Sequence, residues 1–266
     1  LYQGGLTLGQ KEYYLDTDKA TVDIREAYKK HLIKMFQLFG FNAAQAKAKG
    51  EAVLRFETAL AKFSKSSTEL RDVEANYNKM TLAQFKAKYP NLPVEALLNA
   101  EGIKSAYFQT LVVGQPAFFA GLNKLVTTWN LADRKAYMQW SVINSSTGYL
   151  SSAVEAEHFD FFGKTMRGKK ENFPLWKRAT SQVESVMGEA LGRIYCERFF
   201  PASSKTRMEE LVKNLQVALA ERIKDQDWMT AKTKEAALDK LNSFYVKIGY
   251  PNKWKDMSGL SIKPSE

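Results

Sequence analysis

Histidine and cysteine are nearly missing from this chain, with two His and one Cys among 266 residues. A single cysteine, Cys196, excludes an intrachain disulfide and with it the stapled secreted mini-domain. With the acidic Glu197 beside it, Cys196 is expected as a small packed residue rather than a nucleophile. His31 and His158 stand far apart in sequence, and neither belongs to a His-Glu-x-x-His run, which sets two imidazoles on one helical face around zinc. Phosphate-cradling glycine loops are absent too: Gly4, Gly5 and Gly9 lack the spacing and the following Lys-Ser/Thr. No apolar run approaches the roughly 20 residues that cross a bilayer, so no membrane contact is expected of this segment. Leu1 is not an initiator Met, and Lys263-Pro264-Ser265-Glu266 is a polar stop, so both ends read as cuts within a longer protein.

What is present is an ordinary globular balance, 45% apolar and 26% charged, enough for a sizeable core. The net charge of +10 invites a nucleic-acid reading. Lys and Arg are scattered among Asp and Glu on helical faces, however. Only Arg167, Lys169 and Lys170 cluster, beside Gly163 and Gly168, where a loop is expected. Nucleic acid is therefore not expected as a partner.

Helical periodicity dominates. Residues 1–20 read as extended chain and turns. Then Ile24, Tyr28, Leu32, Met35, Phe36 and Phe39 recur at three- and four-residue steps, with Gly40 where a C-terminal cap belongs. Val53, Phe56, Leu60 and Phe63 repeat the pattern. Thr81 to Gln84 has capping-box spacing, and Pro90 stops the helix that follows. Leu111-Val112-Val113 is the best strand candidate, Pro116 suits a first helical turn, and Asp133 suits the start of a helix running to about Tyr149. Residues 174–199 form the longest periodic stretch. There Ser181, Ser185, Gly188, Gly192 and Cys196 make a small-residue stripe, which predicts a central helix buried on two sides. Helices near 204–225 and 231–244 follow, the second capped by Thr230, and Tyr245 to Ile248 suits a short strand. The fold class is mainly α, about ten helices with a few short extended pieces and no sharp internal boundary.

The histidines have plain readings. His31 is expected as a partly buried, hydrogen-bonded structural residue. His158, within Glu155-Ala156-Glu157-His158-Phe159-Asp160, is expected at a solvated helix end with local ion pairs. Catalytic, cofactor-binding and metal-ligating residues are all expected to be none.

Several stretches carry a more specific signal. Gly5-Leu6-Thr7-Leu8 with Tyr13-Tyr14-Leu15, and Tyr28 to Phe36, resemble the start of the helical region of neprilysin-type zinc endopeptidases. Tyr77-Asn78-Lys79-Met80-Thr81 and Tyr137-Met138-Gln139-Trp140-Ser141-Val142-Ile143-Asn144 resemble further segments of that family. So do Gly192-Arg193-Ile194-Tyr195 with Phe200 and Ser204-Lys205, then Trp228-Met229 with Thr233-Lys234, and Ile248-Gly249-Tyr250-Pro251. They fall in the family's order over nearly the whole chain, with a bacterial flavour.

The resemblance implies that residues 1–266 are the N-terminal helical lobe of a two-lobed peptidase. Residues 1–20 and 245–266 would be edges contacting a C-terminal catalytic lobe. It further implies zinc in the parent but not in this segment, oligopeptide substrates, and an extracytoplasmic parent that is periplasmic, secreted or lipid-anchored. The family's zinc motif lies downstream of Ile-Gly-Tyr-Pro, so the resemblance assigns no catalytic residue here, and the segment alone is expected to be inactive. The positive charge, if on the chamber wall, would favour acidic peptides. A non-catalytic helical interaction module is the competing reading.

Overall fold

The computed structural model of the chain describes residues 1–261 and Lys263. It divides into two compact units, residues 1–172 and 173–266, a boundary the sequence does not announce.

In the first unit, α1 (Glu12–Leu15) leads into α2 (Lys19–Leu38), so residues 1–20 are not wholly extended as the sequence predicts. Asp18 starts α2 early by accepting the Thr21 backbone N–H. Asn42 and Gln45 form a reciprocal capping box that opens α3 (Ala43–Ala61). Gly50 lets α3 approach α2 closely: a Cβ there would sit 3.2 Å from the Ile33 backbone nitrogen. Buried Leu32, Met35 and Phe36 of α2 and Val53 of α3 form one core with Trp140 and Ile143. The last two come from α7 (Leu131–Ser146). Each such side chain contributes about 2 kcal/mol by leaving water. Asn130, not Asp133, caps α7; Asp133 lies in its first turn.

A second core gathers Phe85, Tyr89, Leu111, Phe118 and Phe119. Its frame is a two-stranded antiparallel ladder, β1 (Lys79–Thr81) and β2 (Thr110–Val112), with Met80 opposite Leu111. The strand expected at Leu111 thus has its partner in Lys79–Thr81, a stretch too short to show a period. The Thr81–Gln84 capping box opens α4 (Leu82–Lys88) as its spacing predicts. Helices α5 (Val94–Ala100) and α6 (Pro116–Thr128) complete this part, and Pro116 opens α6. After α7 come α8 (Ser152–His158) and a π-helix over Phe159–Thr165.

The second unit holds α9 (Leu175–Phe199), α10 (Ala202–Lys224) and α11 (Ala231–Asn242), the last capped by Thr230. Its long helix corrects the sequence reading. None of the residues of α9 is buried, and a Cβ added at Gly188 or Gly192 would meet nothing within 4 Å. The small-residue stripe is suited to close packing, but no backbone described here lies against it. Non-helical angles at Met187 also break α9 beside Gly188. Residues 245–248 pair with no strand among the described residues.

Candidate functional site

The centre of the first unit is polar. Glu57 projects from the apolar face of α3, between Val53 and Leu60, and is fully buried. Thr7 Oγ1 donates to its Oε1 at 2.6 Å, while the hydroxyls of Tyr14 and Tyr28 donate to Oε2 at 2.7 and 2.9 Å. Thr7 in turn accepts from Trp140 Nε1 at 2.9 Å, and Tyr14 accepts from the Leu8 backbone N–H at 3.0 Å. Thr7 and Tyr14 each accept one bond from elsewhere, which leaves their own protons available to Glu57. Burial drives the Glu57 carboxyl up to about 7 against these hydroxyl donors, which hold it down. Burial, then the Glu57 charge, raises both Tyr14 and Tyr28.

The two histidines, 127 positions apart in sequence, stand on neighbouring elements with ring centres 6.4 Å apart. His31 is hydrogen-bonded, as expected, but buried more fully than the partial burial expected; its Nδ1 meets the Glu157 carboxylate at 2.9 Å. It stacks on Phe161 at 4.8 Å and meets Trp140 edge-on. His158 contradicts the expectation of a solvated helix end: it is half-buried against Phe162, ring centres 4.6 Å apart. Burial, with His31 and Arg167 adding like charge, lowers its pKa to about 4. The contact follows from the π-helix, which turns Phe161 and Phe162 toward α2.

These residues do not fit a zinc site. His31 spends one nitrogen on Glu157, aromatic rings wall both imidazoles, and no third ligand joins them. Among the described residues no three His, Cys, Asp or Glu side chains are gathered to hold a metal ion. Nothing in the arrangement activates a nucleophile, and Cys196 lies half-buried on an open groove of α9 rather than in packed core.

In the second unit the organised feature is a clasp. Lys205 of α10 donates to the Tyr250 carbonyl at 2.9 Å and to Asn252 Oδ1 at 2.8 Å, with its ammonium 4.5 Å from the Tyr250 ring centre. Tyr250 meets Phe200 edge-on and stacks on Trp254. Gly249 has φ +66, and a Cβ there would come within 2.7 Å of the Phe200 ring.

The sequence model of peptidase family M13 matches residues 1–251. The chain belongs to peptidase family M13. It is 30% identical over 255 residues to mouse (Mus musculus) endothelin-converting enzyme-like 1, covering 94% of this chain and 32% of that one. Over 235 residues it is 29% identical to the neutral endopeptidase of Lactobacillus helveticus, covering 88% of this chain and 35% of that one. It also superposes on the crystal structure of the zinc metalloprotease Zmp1 of Mycobacterium tuberculosis in complex with inhibitor, with TM-score 0.87 and 34% identity. That match covers 98% of this chain and 39% of Zmp1. This M13 chain thus spans about a third of the length of the curated relatives it matches.

The motif stretches of the M13 resemblance account for both polar assemblies. Thr7, Tyr14, Tyr28 and Trp140 surround Glu57, and Phe200, Lys205, Gly249 and Tyr250 form the clasp. Sequence reasoning missed Glu57. The available signal was a carboxylate on the apolar stripe of Val53, Phe56 and Leu60.

Proposed function

We propose that this chain is the substrate-enclosing helical part of a zinc-dependent endopeptidase that cleaves oligopeptides. The match to peptidase family M13 over residues 1–251 carries this reading. In it, the zinc ligands and the catalytic groups belong to the rest of the protein, and the residues described here supply a rigid wall. Walls of this kind exclude water and folded proteins from a chamber while admitting flexible peptides. The second unit supports a missing neighbour: Trp176, Val186 and Phe199 of α9 are 68%, 75% and 68% exposed. Leu175, Val183, Ile194 and Tyr195 of the same helix are exposed as well, and apolar surface on this scale marks an interface. Residues 1–20 and 245–266 are proposed as edges that contact the catalytic part. The parent is placed outside the cytoplasm: periplasmic, secreted or anchored to the envelope. The charge of +10, where it lines the chamber, favours acidic peptides.

The test is zinc-dependent cleavage by the full-length protein. It should hydrolyse short peptides, lose activity to a chelator, regain it with zinc, and spare folded proteins. Full-length protein that neither binds zinc nor cleaves any peptide would overturn the reading and leave a helical interaction module. Matched acidic and basic peptides test the charge argument, which a basic preference or no preference would reject.

A further inference from the structure

The segment from Tyr245 to Asn252 crosses the surface of the second unit without belonging to any helix or strand. No ladder fixes its course, so side chains must. They converge on one ammonium. Lys205 has a side chain only 13% exposed, and it donates to the Tyr250 carbonyl and to the Asn252 side chain while lying over the Tyr250 ring. Glu209, one turn on in α10, is 4.0 Å from the same nitrogen. Phe200 fills the space beneath Gly249, where no side chain fits at φ +66. Farther on, Glu189 of α9 accepts the Lys255 backbone N–H at 2.5 Å.

An ammonium is suited to this task. It offers three donors and no acceptor, and it joins a backbone carbonyl, a side-chain amide and an aromatic face that share no other partner. Removing it leaves the Tyr250 carbonyl and the Asn252 amide without that donor and frees Gly249, the one residue in the segment with left-handed backbone angles, to relax.

We infer that Lys205 is a positioning residue: it fixes the path of Gly249–Asn252 across α10 and so the course of the backbone that follows toward Lys255. This extends the zinc-peptidase reading and rests on it for the effect on catalysis, but not for the effect on the segment itself. In the relatives most of the protein lies outside the matched region. A displaced segment therefore shifts the surface that this unit offers the catalytic part, without touching a reacting atom.

The test uses full-length protein carrying Lys205→Met, Lys205→Arg or Asn252→Ala. Hydrogen exchange reads the segment, and steady-state kinetics on one short peptide read the reaction. In Lys205→Met, exchange over Gly249–Lys255, where Glu189 holds the Lys255 amide, should rise about tenfold. In the same variant kcat should fall about tenfold with KM little changed, because misplacement by about 1 Å acts on the chemical step. Lys205→Arg, which keeps donors in reach, should restore most of both, and Asn252→Ala should fall between. If Lys205→Met does not fold, the graded response of Asn252→Ala decides. Unchanged exchange in both variants overturns the clasp, and raised exchange with unchanged kcat overturns the positioning role. Wild-type protein with no peptidase activity would refute the peptidase reading, while the exchange data would still decide whether Lys205 holds the segment.

Discussion

Replacing Glu57 by glutamine removes an ionisable group from the centre of the first unit while keeping its size. The folded-state pKa of Glu57, about 7, lies above its ordinary 4.5. The stability it contributes is therefore fully present below pH 4.5 and is lost as pH rises through 7. A displacement of that size corresponds to about 3 kcal/mol. His158 works in the opposite sense. Its pKa falls from 6.5 to about 4, so its contribution is present above pH 6.5 and is lost as pH falls toward 4. Discounted for its half-exposed ring, that contribution is roughly 2 kcal/mol. Between pH 4.5 and 6.5 the two slopes oppose each other, and the wild-type protein should show little dependence from this pair.

Glu57→Gln should uncover the histidine: stability falls as pH drops from 6.5 to 4.5. The amide also sets an NH2 against a hydroxyl that already donates inward, at a cost of about 1 kcal/mol. His158→Leu should uncover the glutamate, with stability falling as pH rises from 5 to 8. Hydrogen exchange of core amides in α2 and α3, corrected for the intrinsic pH dependence, reports this unit apart from the other. A Glu57→Gln profile superimposable on wild type from pH 4.5 to 8 would refute the reasoning, because the buried proton would then reside elsewhere.

Other perturbations separate the remaining contacts. Thr7→Val strips a donor from Glu57 and an acceptor from Trp140 Nε1 and should cost about 2 kcal/mol in the first unit; a loss under 0.5, on the order of an ordinary surface change, would show that the network is not coupled. Gly249→Ala should destabilise the second unit by about 2 kcal/mol in urea melts, since φ +66 and the Phe200 ring both oppose a Cβ, and an unchanged midpoint would contradict that. Gly188→Ala with Gly192→Ala should stabilise α9 of this chain alone by about 1 kcal/mol each. A neighbour packed on that stripe in the full-length protein would make the same pair destabilising there; stabilisation in both settings would mean that the face stays open to solvent.

The elements were legible where one short stretch holds the whole cause. Thr81 and Gln84 cap α4 from within four residues, and Thr230 caps α11 the same way. The apolar step from Tyr28 to Phe36 faces the core because a single period sets it. What was not legible depends on distant partners. The donors to Glu57 come from positions 50, 43 and 29 residues away, and His31 meets the π-helix across more than a hundred. The stripe on α9 misled for a related reason: small residues permit close packing but do not dictate that it occurs. Family resemblance, by contrast, rested on motifs whose order survives without any knowledge of contacts.

In the function proposed above, this polypeptide shapes a chamber whose chemistry the rest of the protein supplies. Measuring bound zinc and cleavage of one short peptide, side by side for residues 1–266 alone and for the full-length protein, tests it most directly. One zinc and chelator-sensitive cleavage are expected in the full-length protein, and neither in the shorter chain. Stoichiometric zinc with peptide hydrolysis by residues 1–266 alone would contradict it.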